Sequence, residues 1–395
     1  MTNRRDLKIL WSSNISTSNS GYGTFSKDFL RRLRDDKWPI ASVGWAGLEG
    51  GTPIEIDGVK TYPRLASPWG DDAMIEHGRH FGANVNFSMQ DVWPMNPQYL
   101  AQLPKWIPYL PIDKEPIPQP ILDRLKYAYR IITFSKFGHD ALEKVGFSST
   151  YIPEGTDTNV FKPLSKEDAR KEVGLPQDKF IFGMIGANKP DGIVRKGWQQ
   201  ALEAFKMFHD KHPNSLYFYQ SNQQGGFPVE EYAHYLGLSK NIVTVDAYSS
   251  IYHGSSELVN KWLNCFDVTL HPSATEGFGL VIIESQSAGT PVIVNNCHSQ
   301  PELVTPETSE ICESGYKQWA GGGFVYYPDE KSLYDKMETM FKRVVDNETK
   351  ITDACRKQIV DNYSIDTIYN DKWKPFLEKL QLEILPAVVD EKPTK

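Results

Sequence analysis

The stretch HPSATEGFGLVIIESQSAGTPVIV, residues 271–294, carries two glutamates eight positions apart, Glu276 and Glu284. Glu276 stands just before a Gly-Phe-Gly turn, and the apolar run Leu280 to Ala288 reads as a helix stopped by Gly289 and Pro291. Val292-Ile293-Val294 then reads as a buried parallel strand. Glu276 is therefore expected on the loop entering the helix, and Glu284 one to two turns along it. That spacing directs two carboxylates toward one polyhydroxyl ligand, because a carboxylate accepts the paired hydroxyl hydrogen bonds that a ribose or a pyranose offers. The amides of Gly277, Phe278 and Gly279 are expected to face a phosphate at the helix start. A plainer pattern also fits the pair: a first-turn acid favouring the helix dipole, with an exposed partner.

Strands and helices alternate on either side of this stretch. Lys8-Ile9-Leu10-Trp11 reads as a strand, Ser12 to Gly23 as a polar loop, and Thr24 to Arg34 as a helix with Phe25, Phe29, Leu30 and Leu33 at helical spacing. This strand, glycine loop and helix make the opening of a Rossmann-like domain. Pro104 to Pro120 is dense in proline and is expected to be an extended, irregular loop. The alternation restarts with the strand Phe180 to Ile185, the amphipathic helix Trp198 to Lys211 and the strand Ser215 to Gln220. Alternation in both halves implies an α/β fold with two parallel-sheet domains. The expected boundaries are 1–165 for an acceptor-binding domain and 166–368 for a nucleotide-sugar-binding domain. A helix over 369–385 is expected to cross back to the first domain, and 386–395 to form a disordered tail.

Further segments share one resemblance. Residues 271–294 resemble the E-x7-E pattern of the retaining glycosyltransferases of family 4. Ser20-Gly21-Tyr22-Gly23, Ile131 to Phe137, Tyr151 to Asp157 with Phe161-Lys162-Pro163, and Arg195-Lys196-Gly197 resemble other segments of that family, in its order. The resemblance implies the GT-B fold, two Rossmann-like parallel-sheet domains with an inter-domain cleft. It also implies a nucleoside-diphosphate sugar as co-substrate, with a UDP-sugar favoured over a GDP-sugar, and a hydroxyl-bearing acceptor. Metal independence and front-side displacement are likewise implied by the resemblance.

Glu276 is then expected to hold the sugar hydroxyls and Glu284 the ribose hydroxyls. Lys196, just before the helix at Trp198, is placed to neutralise a departing diphosphate. The family usually has an arginine several residues before this lysine, whereas Asn188 and Lys189 occupy that region here. Lys189 is the natural substitute, Asn188 offers only hydrogen bonds, and Arg195 is the remaining cation. Asp113 lies where the family often has a histidine reaching the donor sugar; a cap or turn role is the alternative. Ser135 and Lys136 end a strand and are candidates for the acceptor or a phosphate. Tyr248, in the turn after Ile242 to Val245, is a candidate to stack on the nucleobase. Gly21 and Gly23 let backbone approach a ligand, or simply form a turn.

Composition bounds these readings. A length of 395 residues exceeds one ordinary core and suits two domains. The content is 40% hydrophobic and 24% charged, as in a globular enzyme. The net charge of −7 argues against a protein that coats nucleic acid. Residues 1–165 carry 19 Lys and Arg against 18 Asp and Glu, so nucleic acid is not signalled as a partner, while peripheral membrane contact stays compatible. No apolar run approaches the roughly 20 residues of a transmembrane helix. No signal peptide is expected at Met1 to Asp6, which agrees with a cytoplasmic location. The four cysteines and nine histidines are scattered, so no metal site and no bound cofactor are expected. The favoured function is a retaining hexosyltransferase acting on a glycan, lipid or small molecule. Two alternatives stand beside it: transfer to a hydroxymethylated DNA base, and a catalytically silent nucleotide-sugar-binding protein.

Overall fold

Trp11, in the first strand of the chain, sets the core of one half of the molecule. The structure, a computed structural model, describes residues 5–189, 193–221, 225–245 and 255–385, and these divide into two compact units. The first takes 5–110, 120–132 and 366–385; the second takes 111–119 and 133–365.

In the first unit, strand β1 (Ile9–Asn14) leads into helix α1 (Gly21–Asp35), followed by β2 (Ile40–Ala46), β3 (Ile54–Ile56), β4 (Val59–Pro63), α2 (Asp71–Phe81), β5 (Val85–Met89), α3 (Pro97–Leu100) and β6 (Trp106–Leu110). The strands order as β3-β4-β2-β1-β5-β6, parallel except for the β3–β4 hairpin. Buried Phe25 and Phe29 on α1 pack with tilted rings against Trp11, and Trp373, from the returning C-terminal segment, packs edge-on to Trp11 at 6.0 Å. Such aromatic clusters bury large apolar areas and dominate core energetics. Arg5 ties the same segment down, pairing with Asp36 at 3.0 Å and Glu378 at 2.8 Å. Strand β6 corrects the expectation of an irregular loop over Pro104 to Pro120. The buried run Trp106 to Leu110 pairs with β5, with Pro108 opposite Ser88. Apolar burial here overrides the turn signal of the prolines.

Helix α4 (Gln119–Leu125) belongs to the first unit but for Gln119, β7 (Ile132–Thr133) straddles the division, and the second unit resumes at Thr133. It runs through α5 (Lys136–Lys144), β8 (Thr150–Tyr151), α6 (Lys166–Val173), β9 (Phe180–Ile185), α7 (Trp198–Lys211), β10 (Ser215–Gln220), α8 (Val229–Tyr235), β11 (Ile242–Thr244), α9 (Ser256–Cys265), β12 (Val268–His271), α10 (Leu280–Ser287), β13 (Val292–Asn295) and β14 (Ser309–Cys312). Its six-stranded sheet, β11-β10-β9-β12-β13-β14, is parallel throughout. Period-2 alternation splits the buried side chains between two faces. Phe182, Met184, Tyr217 and Tyr219 join Trp198, Phe205 and Phe208 of α7, while Ile181, Ile185, Leu216 and Phe218 join Trp262 and Phe266. Helices on both faces of a parallel sheet are what such near-continuous apolar strands require. Gly183 leaves room for the Phe266 ring, which a Cβ there would strike.

A hairpin of β15 (Ser314–Ala320) and β16 (Gly323–Pro328) precedes α11 (Glu330–Asn362), which is kinked at Asn347. Arg356 of α11 donates to Phe161 O at 2.6 Å, Ser287 O at 3.0 Å and Thr158 O at 2.7 Å, and so locks three segments together. The chain closes with α12 (Ile365–Ile368) and α13 (Lys374–Ile384). The expected tail, 386–395, lies outside the described residues. No helix among the described residues is long and apolar enough to cross a membrane.

Candidate active site

Glycine geometry places Glu276 and Lys196 side by side, although 80 residues separate them. Gly197 has φ 71°, and a Cβ there would strike the Pro272 carbonyl, so the turn that ends in Lys196 packs directly on the loop after β12. The Ala274 N–H donates to Arg195 O at 2.7 Å and fastens the two loops. The Lys196 ammonium pairs with Glu276 Oε1, and an Arg195 nitrogen lies 3.7 Å from Oε2. Buried His271 completes the set, with Nε2 3.2 Å from Oε1.

The electrostatics follow from burial. Glu276 is 7% exposed. Burial works to raise its carboxyl, but Lys196, the His271 hydrogen bond and Arg195 outweigh it and hold the group well below the usual carboxylate range. Burial draws the Lys196 ammonium below its ordinary value against the pull of Glu276. It lowers His271 as well, so the imidazole is neutral and donates to the carboxylate.

The loop that carries Glu276 is pinned from several sides. The Ser299 hydroxyl lies 2.9 Å from Glu276 O and 2.8 Å from Phe278 O. Asn295 and Gln300 donate to Ser273 O, and the Thr275 hydroxyl donates to Asp113 O. Gly277 lies against Pro111, where a Cβ has no room, and Phe278 is buried. Gly279 has φ 119° and is the N-cap of α10; no side chain caps that helix, and none caps α7 at Gly197. Two helix starts in one unit thus keep their first-turn N–H groups clear of side-chain caps, the arrangement that suits phosphate oxygens.

Glu284 lies in the second turn of α10 and is 8% exposed. Next to it electrostatically is Glu154, a residue that sequence reasoning passed over inside Tyr151 to Asp157. His271 was likewise passed over, although it stands in the quoted stretch. His298 is a third: it has φ 50°, packs edge-on to Phe137 and Tyr326, and burial pushes its imidazole down to about 4.

The other sequence candidates fall as follows. Asn188 clamps Phe227, accepting from its N–H at 2.9 Å and donating to its carbonyl at 2.7 Å. Lys189 is exposed and lines a small pocket with Arg195, Lys196 and Trp198. The Asp113 carboxylate sits 3.6 Å from Lys114. Ser135 is buried and accepts from Gly138 N–H at 3.1 Å as the N-cap of α5, while the Lys136 N–H donates to Glu302. Gly21 and Gly23 belong to the first unit, at the start of α1, where a Cβ on Gly23 would crowd the Ser18 and Ile15 carbonyls. Tyr248 lies outside the described residues. Among the described residues, no group of three His, Cys, Asp or Glu side chains is arranged to hold a metal ion.

Comparison with known proteins bears on the same half. Residues 165–321 match the family model described as glycosyl transferases group 1. The D-inositol 3-phosphate glycosyltransferase of Streptosporangium roseum is 25% identical over 175 residues, 43% of this chain and 39% of that protein. That of Acidothermus cellulolyticus is 29% identical over 145 residues, 36% of this chain and 32% of that protein. The matched stretch thus spans well under half of these curated relatives. Among solved structures, sucrose-phosphate synthase from Thermosynechococcus elongatus superposes with a TM-score of 0.75 at 16% identity, over 95% of this chain and 99% of that one. A glycosyltransferase from Rickettsia africae gives 0.72 at 16%, over 97% and 100%. HepE of Anabaena in complex with UDP-glucose gives 0.71 at 15%, over 94% and 99%. At such identities the likeness is one of fold, and the fold is GT-B.

Proposed function

We propose that this chain is a retaining glycosyltransferase that moves a hexose from a UDP-sugar to a hydroxyl acceptor. The observation that carries the reading is the buried, ionised Glu276, held by Lys196 beside two helix starts that no side chain caps. Glu276 accepts hydrogen bonds from the sugar hydroxyls and Glu284 from the ribose. Lys196, with Arg195 or Lys189 and the Gly277 to Gly279 amides, stabilises the diphosphate as it departs. An oxocarbenium-like transition state separates from pyrophosphate, so cations and amides fixed in advance at the leaving group lower the barrier directly. A departing diphosphate also competes for Lys196 with Glu276, which keeps that ammonium charged and oriented until the nucleotide sugar arrives.

The group 1 match over 165–321 supports the activity class, and the UDP-glucose bound to the structurally similar HepE supports a uridine donor. Retention and metal independence rest on the resemblance to family 4. Asp113 is assigned to a sugar hydroxyl, and Ser135 and Lys136 lie on the acceptor side by the same resemblance. The test is to incubate the purified protein with a panel of uridine and guanosine diphosphate sugars and follow thermal shifts and product anomers by NMR. An α-linked UDP-sugar should bind and yield an α-linked product, with transfer surviving EDTA. A β-linked product overturns retention, rescue by manganese after EDTA overturns metal independence, and the absence of any shift overturns the donor assignment.

A further inference from the structure

Three tryptophans of the first unit meet at the carboxyl ends of its strands. Trp45 is the last residue but one of β2, Trp69 lies on the loop before α2, and Trp93 lies on the loop after β5. Their rings form a ladder, with centroids 5.5 Å apart from Trp45 to Trp69 and 6.3 Å apart from Trp69 to Trp93. Gly70, with φ 71°, makes room for it, since a Cβ there would strike Trp45 Cβ. The ladder ends in solvent, because Trp93 is 52% exposed. Core packing accounts for the inner rings and leaves Trp93 half uncovered.

Open α/β sheets take ligands at such a place. β1 lies between β2 and β5, all parallel, and the chain builds outward on the β2 side before returning to the β5 side. That reversal opens a crevice at the carboxyl ends of the central strands. Asn14 ends β1, and Gln90 and Asp91 directly follow β5. Gln90 is 1% exposed and donates to the Trp69 carbonyl at 3.3 Å, while its own Oε1 has no hydrogen-bond partner. Asn14 Oδ1 and Trp45 Nε1 are also buried without partners. Two acceptors and a donor left over around one aromatic ladder call for groups that both donate and accept, as hydroxyls do. Exposed Asp91, two residues before Trp93, adds a carboxylate, which takes paired hydroxyls. These residues include no Lys or Arg, so nothing among them neutralises the phosphates of a nucleic acid. We propose that the Trp45–Trp69–Trp93 ladder with Asp91 is a saccharide-binding subsite, and that the acceptor is a glycan. The C–H face of a pyranose lies on the Trp93 indole, and its hydroxyls meet Asp91 and the neighbouring amides. That the bound saccharide is the acceptor rests on the glycosyltransferase reading, whereas its binding to the ladder does not.

The experiment is saturation-transfer NMR and calorimetric titration of the full chain with maltotriose, cellotriose and mannotriose, with a short single-stranded DNA and UDP-glucose in parallel. At least one trisaccharide should bind, and Trp93→Ala should weaken it about threefold to tenfold, the effect of one lost aromatic contact. Trp93→Phe keeps a ring and should lose less. Asp91→Ala should weaken the same sugar about tenfold, the effect of a lost hydrogen bond to a charged group. Both residues are exposed, so all three variants should melt near the parent. No trisaccharide binding, or equal binding by the parent and Trp93→Ala, overturns the subsite whether or not UDP-glucose binds. DNA bound more tightly than every sugar, and weakened by Trp93→Ala, assigns the ladder to a nucleobase and overturns the saccharide. Trisaccharide binding that weakens in Trp93→Ala, in a chain that binds no UDP-glucose, supports the subsite and overturns the acceptor role alone.

Discussion

Replacing Lys196 with methionine keeps most of the side chain and removes its charge, which isolates the ammonium that faces Glu276. In the parent, Glu276 is 7% exposed and is surrounded by Lys196, His271 at 3.2 Å and Arg195 at 3.7 Å. Removing one partner of a buried ion pair costs about 3–5 kcal/mol, because the other charge is left uncompensated. Arg195 and His271 remain in the variant and offset part of this. A guanidinium at that distance is worth about 4 kcal/mol at an effective dielectric of 20, but the Arg195 side chain is 35% exposed, so solvent screens much of it. The net loss for Lys196→Met should be about 2–3 kcal/mol near pH 8.

The pH dependence of that loss has a definite sign. In the parent, the depressed Glu276 carboxyl contributes stability that is present above its unfolded value and is lost as pH falls through the lower folded one. In the variant, burial acts against a weaker opposition, and the carboxyl moves up. The variant's folded state then takes up a proton before its unfolded state does, and regains stability toward acid. The gap between parent and variant should therefore widen from about pH 5 to about pH 8. Urea unfolding at the two pH values, followed by the fluorescence of the tryptophans that include buried Trp198, reads it. A gap below about 0.5 kcal/mol at both values, or one that grows toward acid, refutes the claim that Lys196 holds Glu276 ionised.

Two further outcomes follow from neighbouring residues. Glu284→Ala should weaken UDP-sugar binding by about 1.5–3 kcal/mol, the range for a hydrogen bond to a charged group, with Glu284→Gln losing less; calorimetry showing unchanged affinity removes the ribose assignment. Glu302 accepts N–H donors from Lys136 and Phe137, yet burial pushes its carboxyl up to about 7, so the stability of the folded state should fall as pH rises from its ordinary value through that one. Glu302→Gln can still accept from both amides without titrating, and its melting temperature minus the parent's should grow from pH 5 to pH 8; a constant difference means that Glu302 does not titrate in that window.

What the sequence makes legible is whatever depends on local order. The helix expected over 280–288 occupies Leu280 to Ser287, and the strand after it occupies Val292 to Asn295, because Gly289 and Pro291 punctuate the chain where apolar periodicity stops. The parallel sheet was readable for the same reason, since near-continuous apolar runs such as Phe180 to Ile185 belong between two layers of helix. The strand at Trp106 was hidden by its flanking prolines, which weigh toward a loop until the burial of its side chains is known.

The chemistry of the site was less legible, because it depends on which side chains meet after folding. Arg195-Lys196-Gly197 and Glu276 are recognisable separately, but that Lys196 closes on Glu276 depends on Gly197 lying flat against Pro272, a contact with no signature in either segment. Asn188 shows how folding also engages a side chain locally. An amide beside a cationic segment reads as a ligand group, yet both of its polar atoms are occupied by the Phe227 backbone. Ser135 is similarly occupied by the start of α5. Glu154 shows the limit most clearly. Its residue type is the same as that of Glu276, yet burial, then Glu284 and Glu276, push its carboxyl well above the usual range, while Lys196 overrides burial and holds Glu276 well below it. Charge state is a property of the assembled surroundings. Two buried glutamates of one type are therefore set apart by the placement of Lys196, Arg195 and His271 around Glu276.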